Sequence, residues 1–133
     1  MKRILSIFSL TILVSTNSFG NWFDKSPKWE LFNKTNYDLI KLDVNSIKYK
    51  NEYVSFWYVN EMNMFPGKFF LWKTVYDCKK RKSMILFYDM VPSIGTLPKN
   101  IPDMVTEDKW LDITTNRWDA DMYTKLCVKK IYF

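Results

Sequence analysis

The chain has 133 residues, 47% hydrophobic and 18% aromatic, with 20 basic against 14 acidic residues, three glycines and no histidine. Without histidine the commonest general base and metal ligand is missing, and with it the usual serine or cysteine hydrolase arrangements. Gly20, Gly67 and Gly95 lie too far apart to build a phosphate-cradling loop.

The sequence opens MKRILSIFSLTILVSTNSFG, with Lys2 and Arg3 ahead of an apolar stretch from Ile4 to Val14 and then small and polar residues. This is the pattern of a secretory signal peptide, with an apolar core shorter than the roughly 20 residues that cross a bilayer. Cleavage is expected after Gly20, leaving residues 21–133 as one domain with a single core. No cysteine near that point can carry a lipid, so the exported product is expected to be unanchored, in the periplasm, at the cell surface or secreted. Removing Lys2 and Arg3 from the 20 basic residues leaves 18 against 14 acidic ones, a net charge of +4. A charge of this size helps approach to acidic glycans, anionic lipid or lipopolysaccharide but does not point to nucleic acid.

The body of the chain is punctuated like a meander of strands. Trp29 to Phe32 and Tyr37 to Leu42 are short apolar runs separated by the turn-forming residues Asn33 to Asn36. Asp43 to Ile47 favours a tight turn or one helical turn, after which KYKNEY starts a hairpin. Tyr53 to Glu61 is the strongest strand by composition. Phe69 to Cys78 is comparable, and alternation puts Phe70, Trp72, Thr74, Tyr76 and Cys78 on one face. Beyond a basic turn the chain returns as SMILFYDM, apolar on both sides. Such strands need cover on both faces, by curling into a partial barrel or by a helix packed on one side. Pro92, Pro98 and Pro102 mark a surface loop, and Trp110 to Ile113 offers an edge strand.

From Asn116 onward, Trp118, Met122 and Leu126 recur at intervals of four with Tyr123 and Cys127 beside them, which predicts a helix whose apolar stripe faces the sheet. Asn116 is the expected N-cap, and Lys125, Lys129 and Lys130 suit the C-terminal end of the dipole. In an oxidising compartment Cys78 and Cys127, with no CxxC spacing, read as one structural disulfide. The bond would staple the helix to the end of the aromatic strand. The expected fold is therefore α+β, an antiparallel sheet of about five to six strands with a C-terminal helix packed on it.

The order of motifs resembles the surface-adhesin protein E family across nearly the whole of residues 21–133. The resemblance is carried by Trp29, Tyr37, Asp43 with Ser46 and Ile47, the run Val54 to Val59, Asp77 and Cys78 followed by Arg81, and then Trp110, Ile113 and Cys127. It implies an antiparallel sheet with a disulfide-pinned C-terminal helix, and a non-enzymatic role in binding host extracellular-matrix glycoproteins. It carries no ligand residues with it. The alternative role is a periplasmic, envelope-associated binding or inhibitor module; a lysozyme inhibitor is disfavoured, since target and chain would both be basic.

Two contact sites are readable. The turn Lys79, Lys80, Arg81, Lys82 is a solvated hairpin tip that discourages edge pairing, or an electrostatic contact for an acidic partner. Met62, Met64 and Phe65 sit before Pro66 and Gly67, where apolar side chains are either tucked back or held out for a partner. The aromatics Phe56, Trp57, Tyr58, Phe69, Phe70, Trp72, Phe87 and Tyr88 read as core first and as a sugar-stacking or partner surface second. Glu107, Asp108, Asp112, Asp119 and Asp121 could supply a carboxylate pair for glycoside cleavage, but read better as loop and helix-start acids. No catalysis, cofactor or metal is expected.

Overall fold

The computed structural model describes residues 26–103, 109–114 and 118–130, so the leader, Glu107, Asp108 and the proposed cap Asn116 lie outside the described residues. The strands are β1 (Trp29–Lys34), β2 (Asp38–Asp43), β3 (Lys48–Lys50), β4 (Tyr53–Met62), β5 (Phe69–Asp77), β6 (Lys82–Val91) and β7 (Leu111–Asp112). They pair antiparallel in the order β1-β2-β4-β5-β6-β7, with β3 also on β4, giving seven strands among the described residues. The α+β meander is thus observed, and the short β3 and β7 raise the strand number. A C-terminal helix, α1 (Trp118–Tyr123), continues as a π-helical segment over Thr124–Lys129.

β2 and β3 share one edge of β4, with Leu42 opposite Tyr58 and Lys48 opposite Ser55. The break between them is a 3-10 turn, Val44–Ser46, capped by Asp43. One carboxylate oxygen of Asp43 accepts from the Lys28 amide at 2.8 Å and the Asn45 amide at 3.0 Å. Ser46 Oγ donates to the Asp43 carbonyl and accepts from the Trp57 amide at 2.9 Å, filling a gap in the ladder. Burial pushes the Asp43 carboxyl above its ordinary value, against the pull of the two amide donors. The sequence DVNSI is therefore a built step in the sheet edge.

Register partners share a face, so the alternation in β4 and β5 sorts the side chains. Ile40, Leu42, Val54, Phe56, Tyr58 and Tyr76 face the helix and pack with Met122, Tyr123 and Leu126. Each fully buried Leu or Phe there is worth about 1.5–3 kcal/mol. Trp57, Val59 and Leu71 face the other way and are covered by Trp29, Phe87, Ile94, Leu97 and Ile101. The proline-marked loop is irregular, as its prolines require, yet its apolar side chains turn inward and roof the second face. Trp29 Nε1 donates to the Ile94 carbonyl at 2.8 Å, and the buried Lys73 ammonium donates to the Ile101 carbonyl at 3.0 Å and to Asp103 at 2.7 Å.

An interval of four overshoots the 3.6-residue turn, so the stripe Trp118, Met122, Leu126 would drift around a regular helix. The wider π turns after Tyr123 counter that drift, and Thr124 Oγ1 bonds back to the Ala120 carbonyl at 3.0 Å. Cys127 is thereby brought to Cys78, Cα–Cα 5.3 Å, in the expected disulfide. Tyr49 Oη donates to the Leu126 carbonyl at 2.6 Å, and Tyr123 Oη donates to the Cys78 carbonyl.

Replacing both cysteines by serine should lower stability by about 4 kcal/mol for a closed loop of this length, read as a shift in the urea midpoint that reductant reproduces in the native chain. For Asp103, partial burial raises the carboxyl, but the hydrogen bond and charge of Lys73, with Lys48, outweigh it and hold the carboxyl below its usual value. A lowered folded value gives stability that is complete above about pH 4 and lost as pH falls through the folded value. Asp103→Asn should cost about 1 kcal/mol at neutral pH and flatten that acid limb in urea titrations.

Candidate functional site

The two sites read from the sequence lie at opposite ends of β5. Nine residues of extended strand separate them by about 30 Å, so they do not form one surface. At one end the β5–β6 turn is organised by buried Asp77, whose carboxylate accepts from the amides of Lys79 and Lys80, each at 3.0 Å. Cys78 N donates to the Glu52 carbonyl at 2.8 Å. Arg81, at φ 55°, lays its guanidinium 5.0 Å from the Tyr123 ring centroid. Lys82 is not in the turn but opens β6 opposite Asp77 and lies 3.7 Å from the Asp112 carboxylate. Of the four charges, only those of Lys79 and Lys80 project without a cation–π or ion-pair contact among the described residues.

At the other end Met62 is the last residue of β4, paired with Asp38 and half-buried, and not in the loop. Met64 and Phe65 are 71% and 45% exposed beside Tyr37 on the neighbouring turn. Asn63 ties the two turns together, through its amide to the Tyr37 carbonyl at 2.9 Å and its side chain to the Asn36 carbonyl at 3.0 Å. This tip exposes apolar side chains, with Asp38 opposite Met62 at its base.

Between the two ends the helix covers only part of its face of the sheet, and a cleft of about 470 Å³ opens there. Its floor is β4, β5 and β6, through Asn60, Trp72, Thr74 and Ser83; its walls are Trp118 and Asp119 of α1 and Leu111, Asp112 and Thr114. The volume is within the roughly 300–1,000 Å³ of small-ligand sites. Aromatic rings run along it: Tyr58 and Trp72 are nearly parallel at 5.9 Å, Trp72 meets Tyr88 at 4.1 Å, and Trp118 abuts Tyr58 edge-on at 5.0 Å. Beyond the cleft Phe70 stacks on Tyr88 at 6.1 Å. Tyr88 is 49% exposed. The structure thus divides the aromatic residues, placing Phe56, Trp57 and Tyr58 in the core, Trp72 partly buried against the helix-side core, and Phe70 and Tyr88 further out on the same face.

Among the described residues three buried side-chain polar atoms have no hydrogen-bond partner: Asp38 Oδ1, Asn60 Oδ1 and Thr74 Oγ1. All belong to the helix-side face, since Asp38 pairs with Met62, two positions on from Asn60, and Thr74 with Phe56. Asn60 and Thr74 both line the cleft. Buried polar groups normally find partners, and each that does not costs about 1–3 kcal/mol. Burial, with the Tyr58 hydroxyl and the Asp119 carboxylate nearby, raises the Tyr76 hydroxyl well above its usual range and keeps this part of the floor uncharged. Asp112 and Asp119 are the carboxylates of the cleft, whereas Asp121 lines a separate groove with Phe32 and Lys125.

Sequence reasoning missed Asn60, Thr74, Ser83 and Ile85. The available signal was phase: Asn60 follows Val54, Phe56 and Tyr58 on the inward side of β4, where a polar residue has no ordinary place. Compared with family models, with curated proteins and with solved structures, the chain matches none.

Because the Thr74 hydroxyl is desolvated and unpartnered, Thr74→Val should leave the shape intact and raise stability by about 0.5–1 kcal/mol in chemical denaturation, contrary to the usual sign for a core substitution.

Proposed function

We propose that the chain is a non-enzymatic exported binding module of the surface-adhesin E kind, holding a host extracellular-matrix glycoprotein in the cleft between α1 and the open half of the sheet. The observation that carries this reading is the pairing of unpartnered polar atoms with a partly exposed aromatic wall in one cleft. Such groups lower the stability of the free protein, and the hydroxyls of a ligand can supply their partners. The signal-peptide pattern and the motif order it shares with the family agree with action outside the cytoplasm. Lys79 and Lys80 would add a screened electrostatic contribution to encounter, not the main contact.

Catalysis fits the cleft poorly. A general acid needs an apolar, partly enclosed carboxyl, whereas the Asp112 side chain is 86% exposed and beside Lys82. The second role, a periplasmic envelope-associated module, uses the same surface and differs in location.

Binding of the purified domain to immobilised matrix glycoprotein should be saturable and should weaken about tenfold in Tyr88→Ala, a half-exposed position whose loss spares the core. Lys79→Ala with Lys80→Ala should change mainly the salt dependence. Protease treatment of intact cells should digest the protein while a periplasmic marker survives. Full protection would replace the adhesive role by the envelope one, and undiminished binding by Tyr88→Ala would remove the exposed end of the aromatic strip beside the cleft from either.

A further inference from the structure

We infer that the cleft takes a neutral glycan: a short chain of pyranose rings bearing hydroxyls and no sulfate or carboxylate groups. This rests on the reading of the chain as a binding module and names its ligand class. A pyranose ring has a face of C–H bonds that packs against aromatic π surface, and a rim of hydroxyls that both donate and accept. The cleft offers the complement of each. Trp72 lies between Tyr58 and Tyr88, at 5.9 Å and 4.1 Å, and supplies the aromatic strip. Thr74 Oγ1, in a residue only 4% exposed, and Asn60 Oδ1 are unpartnered and already desolvated, so the cost of stripping water from them falls on folding and not on binding. Ser83, opposite Tyr76, adds a further hydroxyl on the same face.

Ile85 stands directly across from Thr74 in the register and is half exposed. A rotamer change at this one side chain opens the Thr74 hydroxyl to a ligand, a scale of adjustment common at binding surfaces. Charge then selects among glycans. The Asp119 carboxylate on the wall repels sulfated or sialylated chains, the charge of Asp112 being partly offset by Lys82 at 3.7 Å, and both accept from sugar hydroxyls. A lipid chain would cover the aromatic strip but leave both polar atoms without partners. An extended peptide docks by backbone pairing along a free sheet edge, whereas this cleft lies on the face of the sheet.

The test is titration of the purified domain with triacetylchitotriose, maltotriose and, as the acidic counterpart, 3′-sialyllactose, followed by calorimetry and by the fluorescence of Trp72 and Trp118. At least one neutral trisaccharide should bind with Kd of about 0.1–1 mM, and the sialylated one about tenfold more weakly. Thr74→Val should weaken neutral-sugar binding about tenfold while its unfolding midpoint rises, a combination that a merely structural threonine would not give. Matrix glycoprotein with and without enzymatic removal of its glycans separates the two levels of the proposal. Binding that survives deglycosylation, with no sugar response up to about 10 mM, overturns the glycan and leaves the binding module standing. Absence of binding to glycoprotein, envelope fraction and sugars overturns both, as tighter binding of 3′-sialyllactose overturns the neutral class alone. Cleavage of a bound trisaccharide supports the glycan and overturns the non-enzymatic role.

Discussion

A sheet that is apolar on both faces has to be covered on both, and among the described residues this chain has one short helix to do it with. The rest of the architecture follows from how that shortage is met. On one side α1 and its π-helical extension bury Phe56, Tyr58 and Tyr76 but stop short of Phe70, Tyr88 and Met90. On the other side an irregular loop carries Ile94, Leu97 and Ile101 onto Trp57 and Leu71. A loop with few internal hydrogen bonds is a weak roof unless something fixes it. Here Lys73 does so, reaching from the middle of β5 to a carbonyl and a carboxylate some thirty residues on. Its ammonium is buried and hydrogen-bonded, which fixes the loop over Trp57 and Leu71, while a cavity of about 750 Å³ stays open beside it between Lys48, Ser55, Val75 and Asp103.

The corner at Cys78 explains why the helix ends where it does. The disulfide, the bond from Tyr123 to the Cys78 carbonyl, the Arg81 guanidinium on the Tyr123 ring and the Asp77 carboxylate under the turn all meet within a few residues. Local turn chemistry and long-range packing therefore specify the same geometry. With its C-terminal half fixed at this corner, the helix leaves the far half of the face uncovered. The cleft is what remains between a helix fixed at one end and a sheet longer than the helix.

Much of this was legible in the residues. Alternation in Phe69 to Cys78 placed five side chains on one face, and the four-residue interval from Trp118 gave the helix and its stripe. The composition of Asp43 to Ile47 required a break, and the structure has one. What could not be read were features made by distant partners. Nothing near Lys73 announces that it is buried, because its partners belong to a loop nearly thirty residues away. Four adjacent charges looked like one basic patch, yet backbone geometry at Arg81 and the nearness of Asp112 divert half of them. Inward phase was visible at Asn60 and Thr74, but an inward polar residue looks the same in sequence whether it is satisfied or orphaned. Only the three-dimensional arrangement shows that both border a cleft beside the helix and find no partner there.

The two faces illustrate opposite treatments of a buried polar group. Lys73 carries a full charge into the interior and is given a carbonyl, a carboxylate and the Trp57 ring, so its cost is offset within the fold. Thr74, the next residue in the chain and on the opposite face, carries a far milder hydroxyl and is given nothing. Packing alone would have favoured valine at that position, since its shape is nearly the same and it has no desolvation cost. A fold that satisfies the harder group and leaves the easier one open is not short of means to pair polar atoms. The asymmetry is a property of the two surfaces: the charge on one is paired inside the fold, whereas the hydroxyl on the other is left with unused hydrogen-bonding capacity beside a cleft.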